Sequence, residues 1–153
     1  LDPKNPYPLI DMADLIVAQS QSVSEPAKER RAKLAEAAQF SLRAWKLDPS
    51  IPEVYATYGQ VLLEDGQRPE KAVEMLEEAS FLLPARPGVR FLLAQALYAA
   101  DQDSRAMEEA KSILKRTHLS QGLATEVEEI LRMLADQYRR AMAAEKRDRP
   151  DGE

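Results

Sequence analysis

The chain has 153 residues, of which 44% are hydrophobic and 31% are charged, and its formal net charge is −5. This length and apolar content suffice for one compact unit with its own core. The acidic balance argues against nucleic-acid partners, which require a basic face, and the lack of cysteine excludes disulfides and thiolate metal sites. No apolar stretch approaches the roughly 18 residues of a membrane-spanning helix, so we expect no insertion into a membrane. The composition suits cytoplasm and periplasm equally.

Paired prolines divide the chain into units. Two prolines three residues apart occur three times, as Pro3 with Pro6, Pro49 with Pro52, and Pro84 with Pro87. Positions 49 and 84 are 35 residues apart, and a fixed period of this size indicates a repeat architecture. The second proline of each pair suits the first residue of a helix, because its missing N–H would have no intrahelical partner there.

The first unit is the longest. After Pro6, apolar residues at helical spacing predict a first helix through Leu9, Met12 and Ile16. A second, extended helix is predicted from about Glu25 to Leu47. Positions 3 and 49 are 46 residues apart, which is about a dozen more than the regular unit, and the surplus falls at residues 19–33.

The later units each predict a pair of helices. In the second unit these cover residues 53–63 and 69–83, and Gly66 suits the end of the first of them. In the third unit they cover 87–100 and about 105–116, with Asp103 or Ser104 as the N-cap of the later helix. A final helix, over about 120–146, carries one apolar stripe and has no partner helix after it.

These units resemble the tetratricopeptide repeat, a helix–turn–helix unit of about 34 residues. The second unit matches the family pattern at Tyr55, Tyr58, Gly59, Leu62, Ala72, Leu76, Ala79 and Pro84. The third unit departs from the pattern at Arg90, where an aromatic residue is expected, and at His118, where proline is expected. The resemblance implies an all-α fold, an antiparallel helix-hairpin solenoid that winds as a right-handed superhelix of about three hairpins with a C-terminal capping helix.

The implied organisation is one solenoid domain over residues 1–147. Its repeats would cover about 6–49, 52–84 and 87–118, followed by a capping helix at about 120–146. Solenoids need such a helix to cover the last open apolar face. We expect residues 148–153 to be a disordered tail. The chain begins with Leu1, and we interpret it as a fragment of a longer protein.

Catalytic residue types are sparse in this sequence. The single histidine, His118, falls in a predicted loop, and no second histidine is available for a metal site. Carboxylate pairs such as Glu77 with Glu78 are typical of the solvated face of an amphipathic helix rather than of acid–base catalysis. No glycine-rich phosphate loop is present. We therefore expect no enzyme activity, no cofactor and no metal.

The resemblance places ligand contacts on the first helix of each hairpin, which lines the concave groove in this family. The corresponding residues of this chain are Tyr7, Ile10, Asp14, Glu53, Gln60, Leu63, Glu64, Phe91, Gln95 and Tyr98, with Glu129 and Arg132 on the capping helix. Val17, Ala56, Gly88 and Thr125 occupy further groove positions. The expected occupant is a peptide or a segment of a partner protein.

Two aromatic residues stand out among these positions. Phe91 and Tyr98 are seven residues apart on one helix face with Gln95 between them, and such rings supply contact area while an amide can pair with a peptide backbone. The alternative is that both rings pack against a neighbouring helix. One subtype of the family grips a C-terminal carboxylate with Lys and Asn in the groove. Neither residue type occupies the corresponding positions here, so this recognition mode is not expected.

Two other functions remain open from the sequence. The chain could be a regulatory or substrate-presenting domain of a larger enzyme or of a secretion or assembly protein. It could also form homo-oligomers through the start of the solenoid, around Leu9, Ile10 and Leu15, where the sequence shows no N-terminal cap. Sedimentation that shows only monomer across concentrations would contradict self-association.

Overall fold

The computed structural model describes residues 4–21, 26–115 and 119–148. In these ranges the chain forms α-helices and no strand, which confirms the predicted all-α fold. The helices are α1 (Tyr7–Ser20), α2 (Ala27–Leu47), α3 (Pro52–Asp65), α4 (Pro69–Leu82), α5 (Pro87–Ala99), α6 (Asp103–Leu114) and α7 (Gln121–Asp148).

Proline and glycine set several helix ends, as the sequence predicted. Pro52, Pro69 and Pro87 are the first residues of α3, α4 and α5, where a missing N–H costs nothing. Gly66 follows α3 with a φ of 69°, a left-handed conformation that glycine adopts without steric penalty. Sharp boundaries at these positions keep the hairpins short.

Several boundaries differ from the predictions. Helix α6 begins at Asp103, so neither Asp103 nor Ser104 is its N-cap; Gln102 takes that position without a side-chain hydrogen bond. Helix α6 also ends at Leu114, before the predicted limit. Helix α7 reaches Asp148, which the sequence assigned to a disordered tail. Glu25 and His118, to which predictions were attached, lie outside the described residues.

The helices stack in two layers. Consecutive helices pack as antiparallel pairs, α1 with α2, α3 with α4 and α5 with α6, and each first helix also contacts the first helix of the next pair. In the part of the chain that the structure describes, α2, α4 and α6 do not pack closely against one another, although Arg105 of α6 forms an ion pair with Glu77 of α4. The first helices and α7 therefore form an inner layer, and the splayed second helices form the outer layer of a curved stack.

A continuous apolar cluster joins the hairpins. Leu62 of α3, Leu76 of α4 and Leu97 of α5 are fully buried in it, and Leu134 of α7 completes it. A neighbouring cluster places Val127 of α7 against buried residues of α5 and α6. Helix α7 thus covers the apolar side of the third hairpin, as expected of a capping helix.

Gly59 sets the distance between α3 and α4. A Cβ at this position would lie 2.6 Å from Cγ and 2.9 Å from Cδ2 of Leu76, and 3.3 Å from Cβ of Met75. Leu76 is fully buried within the main apolar cluster. The two helices can approach this closely because residue 59 has no side chain.

We therefore predict that Gly59→Ala lowers the free energy of unfolding by about 1–3 kcal/mol, since overpacking outweighs the better helix propensity of alanine. Urea denaturation measures this change. Gly88→Ala is the matched control, because a Cβ there meets nothing within 4 Å, and it should leave stability unchanged or raise it by up to about 1 kcal/mol. Equal effects of the two substitutions would contradict the close approach.

Candidate functional site

A cleft of about 630 Å³ opens on the inner layer, between α1, α3 and the start of α5. Its lining residues are Tyr7, Ile10, Asp11, Asp14, Glu53, Ala56, Thr57, Gln60, Ala85, Arg86, Pro87, Gly88, Val89 and Leu92. Ligand-binding pockets commonly measure about 300–1,000 Å³, so this cleft can hold several side chains of a ligand.

The cleft combines an apolar floor with a polar rim. Ile10 and Val89 are buried at 4% and 7% exposure, and Ala56 and Leu92 are half-buried beside them. Tyr7 is the first residue of α1, and 53% of its surface is exposed. Gln60 is half-buried on α3 and has an amide that can pair with a polar group of a ligand. Such a surface offers both contact area and hydrogen bonds.

Negative charge dominates the cleft. Asp11 and Asp14 on α1 and Glu53 on α3 contribute carboxylates, and Arg86, in the turn before α5, contributes the cation. Arg86 Nη2 lies 3.4 Å from Glu53 Oε1. Both partners are exposed, so this ion pair adds little to stability. Arg86 compensates the charge of Glu53, but it does not pair with Asp11 or Asp14, which lie on the facing helix α1.

The surroundings of Asp14 in the cleft raise the pKa of its carboxyl. Partial desolvation raises the pKa of its carboxyl above the ordinary 3.8, and the nearby Asp11 carboxylate acts in the same direction, while a hydrogen bond with the Thr57 side chain opposes both. The residue as a whole is exposed, so solvent limits the effect. Because burial is the main cause, the surroundings of Asp14 in the free cleft disfavour its charged form.

Comparison with known proteins supports the assignment of the fold. A scan against protein-family models and a search of curated proteins both find no match. Among solved structures, MamA from Desulfovibrio magneticus RS-1 (residues 41 to the end), a tetratricopeptide-repeat protein, superposes with a TM-score of 0.63. The match covers 97% of this chain and 80% of the other, at 18% identity.

The chain has a tetratricopeptide-like fold. At this level of identity the similarity concerns the fold alone, and the site must be argued from the residues of this chain. The concave side of the tetratricopeptide-like stack is the inner layer, where the cleft lies.

Five of the predicted groove residues line the cleft together: Tyr7, Ile10, Asp14, Glu53 and Gln60. Ala56 and Gly88, from the further groove positions, join them. Sequence reasoning missed Asp11, Thr57, Arg86, Val89 and Leu92. Arg86 precedes α5 in the turn between hairpins, so a rule that counts positions along each first helix does not reach it. The position of Arg86 next to Pro87, the first residue of α5, could have indicated that it lies at the cleft.

The other predicted groove residues lie outside the cleft. Leu63 is half-buried against the main apolar cluster. Glu64 pairs with Arg30, whose Nη2 is 3.0 Å from Glu64 Oε2, and accepts a hydrogen bond of 3.1 Å from Gln21 Nε2. Glu129 and Arg132 are exposed on α7. A binding role for these residues stays a prediction.

Phe91 and Tyr98 each pack against an apolar cluster, and neither lines the cleft. Both are half-buried: Phe91 lies against the cluster that α7 shares with α5 and α6, and Tyr98 lies against the main apolar cluster. Gln95 between them is also half-buried. A groove role for these three residues stays a prediction, and the cleft is lined by the start of α5, up to Leu92.

The residues predicted to mediate self-association fall into a buried set and an exposed set. Ile10 is buried, and Leu9 is half-buried against the cluster of Ile10, Ala44 and Val54, so both belong to the core. Val17, named as a groove position, is buried as well. Leu15 is 58% exposed, with Met12 exposed one turn earlier. Self-association through this face stays a prediction that would rest on Leu15 and Met12.

Neither metal ligands nor a membrane span is found in the described parts of the chain. No group of three or more His, Cys, Asp or Glu side chains comes together in a geometry that could hold a metal ion there. No helix in those ranges is both long and apolar enough to cross a membrane.

The perturbed carboxyl gives a prediction about stability. Because the pKa of Asp14 is raised in the folded state, the ionised form is penalised at neutral pH, and Asp14→Asn should be more stable than the unmodified protein there. The difference should shrink as the pH falls through the raised pKa toward 3.8, since the native carboxyl then gains its proton. Urea denaturation of both proteins across this pH range measures the difference.

Asp48→Asn is the control of opposite sign. Hydrogen bonds from the Ser50 hydroxyl and backbone N–H, at 2.6 and 2.9 Å, lower the pKa of Asp48. Its replacement should therefore reduce stability at neutral pH, and this loss should fade on acidification. If Asp14→Asn behaved like Asp48→Asn, the desolvation of Asp14 would be disproved.

Proposed function

We propose that this chain is a non-catalytic protein-interaction scaffold that binds a peptide or a segment of a partner protein in the cleft between α1, α3 and α5. The observation that carries the proposal is that three successive first helices direct side chains into one cleft, which has a polar rim above a floor of buried core residues. Of the groove residues on α3, Glu53, Ala56 and Gln60 are all half-buried at the cleft surface.

The rigidity of the scaffold supports this function. The opposite face of α3 is anchored by Val54, Val61 and Leu62, all with 0% exposure. Helices held in this way present their exposed face with few internal motions to lose on binding. A preformed surface of this kind suits recognition of a short segment, because most of the conformational entropy lost on binding is then lost by the segment.

The chemistry of the cleft supports binding rather than catalysis. General acid–base work needs a pair of groups with divergent pKa values, positioned for proton transfer. Burial raises the pKa of the Asp14 carboxyl, and its hydrogen-bond partner is the Thr57 side chain, which is not a titratable group. The site offers apolar area, an amide and charges, which are the features of a recognition surface.

The same cleft would serve a regulatory or substrate-presenting domain of a larger enzyme or of a secretion or assembly protein. In that case the bound segment belongs to a substrate or to another part of the assembly. The structural requirement on the cleft is identical, so the experiment that follows tests both versions of the proposal.

Ala56→Arg should abolish partner binding, because a long charged side chain at this half-buried floor position fills the cleft. The matched control is Ala35→Arg at an exposed position of α2 in the outer layer, which makes the same chemical change away from the cleft. Affinity capture from cells of the source organism, with quantitative mass spectrometry, should find proteins retained by the unmodified domain and by the control but lost with Ala56→Arg.

Circular dichroism melts of the three proteins must show that each is folded at the temperature of the experiment. A set of partners that is retained equally by both arginine variants would place the interaction elsewhere and overturn the proposal. The exposed Phe81 on the outer layer, 78% accessible, would then be the first place to examine.

A further inference from the structure

We propose that the occupant of the cleft is a cationic peptide segment, with a Lys or Arg side chain bound between Asp11 and Asp14 on the α1 wall. This inference rests on the proposed function, since it names the chemistry of the ligand for the same cleft. It is carried by the charge, the aromatic ring and the apolar floor that α1 and α3 bring together.

The charges of the cleft are arranged asymmetrically. Asp11 and Asp14 are three residues apart on α1, so their side chains lie on the same helix face, and both line the cleft. Arg86 is paired with Glu53. None of the ion pairs found within the described residues involves Asp11 or Asp14. The α1 wall is therefore left with two carboxylates and a deficit of positive charge.

The environment of Asp14 agrees with this deficit. Desolvation and the neighbouring Asp11 both raise the pKa of its carboxyl. An ammonium or guanidinium group placed between these carboxylates would act in the opposite direction by favouring their charged forms. Ligand binding would thus relieve an unfavourable arrangement that the free protein retains.

The neighbours of the two carboxylates suit a long cationic side chain. Tyr7 lies one turn before Asp11, is 53% exposed and also lines the cleft, so its ring is available to stack on a cation. Ile10 and Ala56 supply apolar surface for the aliphatic stem of Lys or Arg. Carboxylates, an aromatic ring and an apolar floor together form a surface complementary to Lys and Arg.

The rest of the cleft orients the peptide. The Glu53 carboxylate is already paired with Arg86, so the carboxylates of α1 offer the stronger attraction for a basic side chain. The Gln60 amide can exchange hydrogen bonds with the backbone of an extended segment. Anionic ligands, such as a C-terminal carboxylate or a phosphate, would meet two like charges on the α1 wall and are disfavoured for the same reason.

The test is a selection from a random-sequence peptide library displayed on its encoding messenger RNA. The bait proteins are the unmodified domain, the double variant Asp11→Asn/Asp14→Asn, and a control, Glu70→Gln/Glu78→Gln. The control removes the same two charges from exposed positions of α4 outside the cleft. The unmodified domain and the control should enrich peptides with Lys or Arg, and the Asp11/Asp14 variant should not.

The affinity of one selected peptide quantifies the effect. Isothermal titration should show a loss of about 10-fold for the Asp11/Asp14 variant and little change for the Glu70/Glu78 control. Added salt should weaken binding to the unmodified domain more than to the Asp11/Asp14 variant, because screening acts on the charge pairs that the variant lacks.

The remaining outcomes separate the two proposals. The selected peptides could instead be neutral or acidic, bind the Asp11/Asp14 variant equally well and lose binding with Ala56→Arg. This result would overturn the cationic ligand and leave the cleft as the binding site. Peptides whose binding survives Ala56→Arg would overturn both proposals. Failure of the unmodified domain to enrich any peptide would count against the proposed function and, with it, against the cationic ligand.

Discussion

The close approach of α3 and α4 at Gly59 is the contact on which the architecture depends. With no Cβ at position 59, the fully buried side chain of Leu76 occupies the space directly above the α3 backbone. From there the same apolar cluster reaches Leu97 of α5 and Leu134 of α7. A wider separation of α3 and α4 would move these contacts out of register and would disturb the alignment of the inner layer.

This arrangement explains why the cleft exists. On α3, buried Val54, Tyr58 and Leu62 face the core, whereas half-buried Glu53 and Gln60 face the cleft. The period of the helix assigns the two sets to different faces. Stability therefore depends on the first set, and the second set is available for recognition without loss of packing.

Much of the fold follows from local rules in the sequence. Pro52, Pro69 and Pro87 start helices, and Gly66 ends one, because backbone stereochemistry alone decides these positions. The cleft positions on α1 and α3 were also accessible from the sequence, since Tyr7, Ile10, Asp14, Glu53 and Gln60 follow the helical period that defines the groove in the repeat family.

The remaining features depend on how the helices sit against one another. Phe91 and Tyr98 share a helix face in the sequence, but the positions of α6 and α7 decide that both rings pack against apolar clusters. Arg86 reaches the cleft from a turn, whose direction is set by the stacking of the second and third hairpins. The pairing of Arg86 with Glu53, 33 residues away in the chain, likewise requires the tertiary structure.

The central claim is that the inner layer, at the cleft, is the binding surface of this tetratricopeptide-like stack. The most direct measurement is an NMR titration of the isotope-labelled protein with a bound peptide, which follows the backbone amide resonances of every helix. The largest shifts should fall in α1 from Tyr7 to Asp14, in α3 from Glu53 to Gln60, and at the start of α5. Shifts confined to the outer layer, in α2, α4 or α6, would contradict the account.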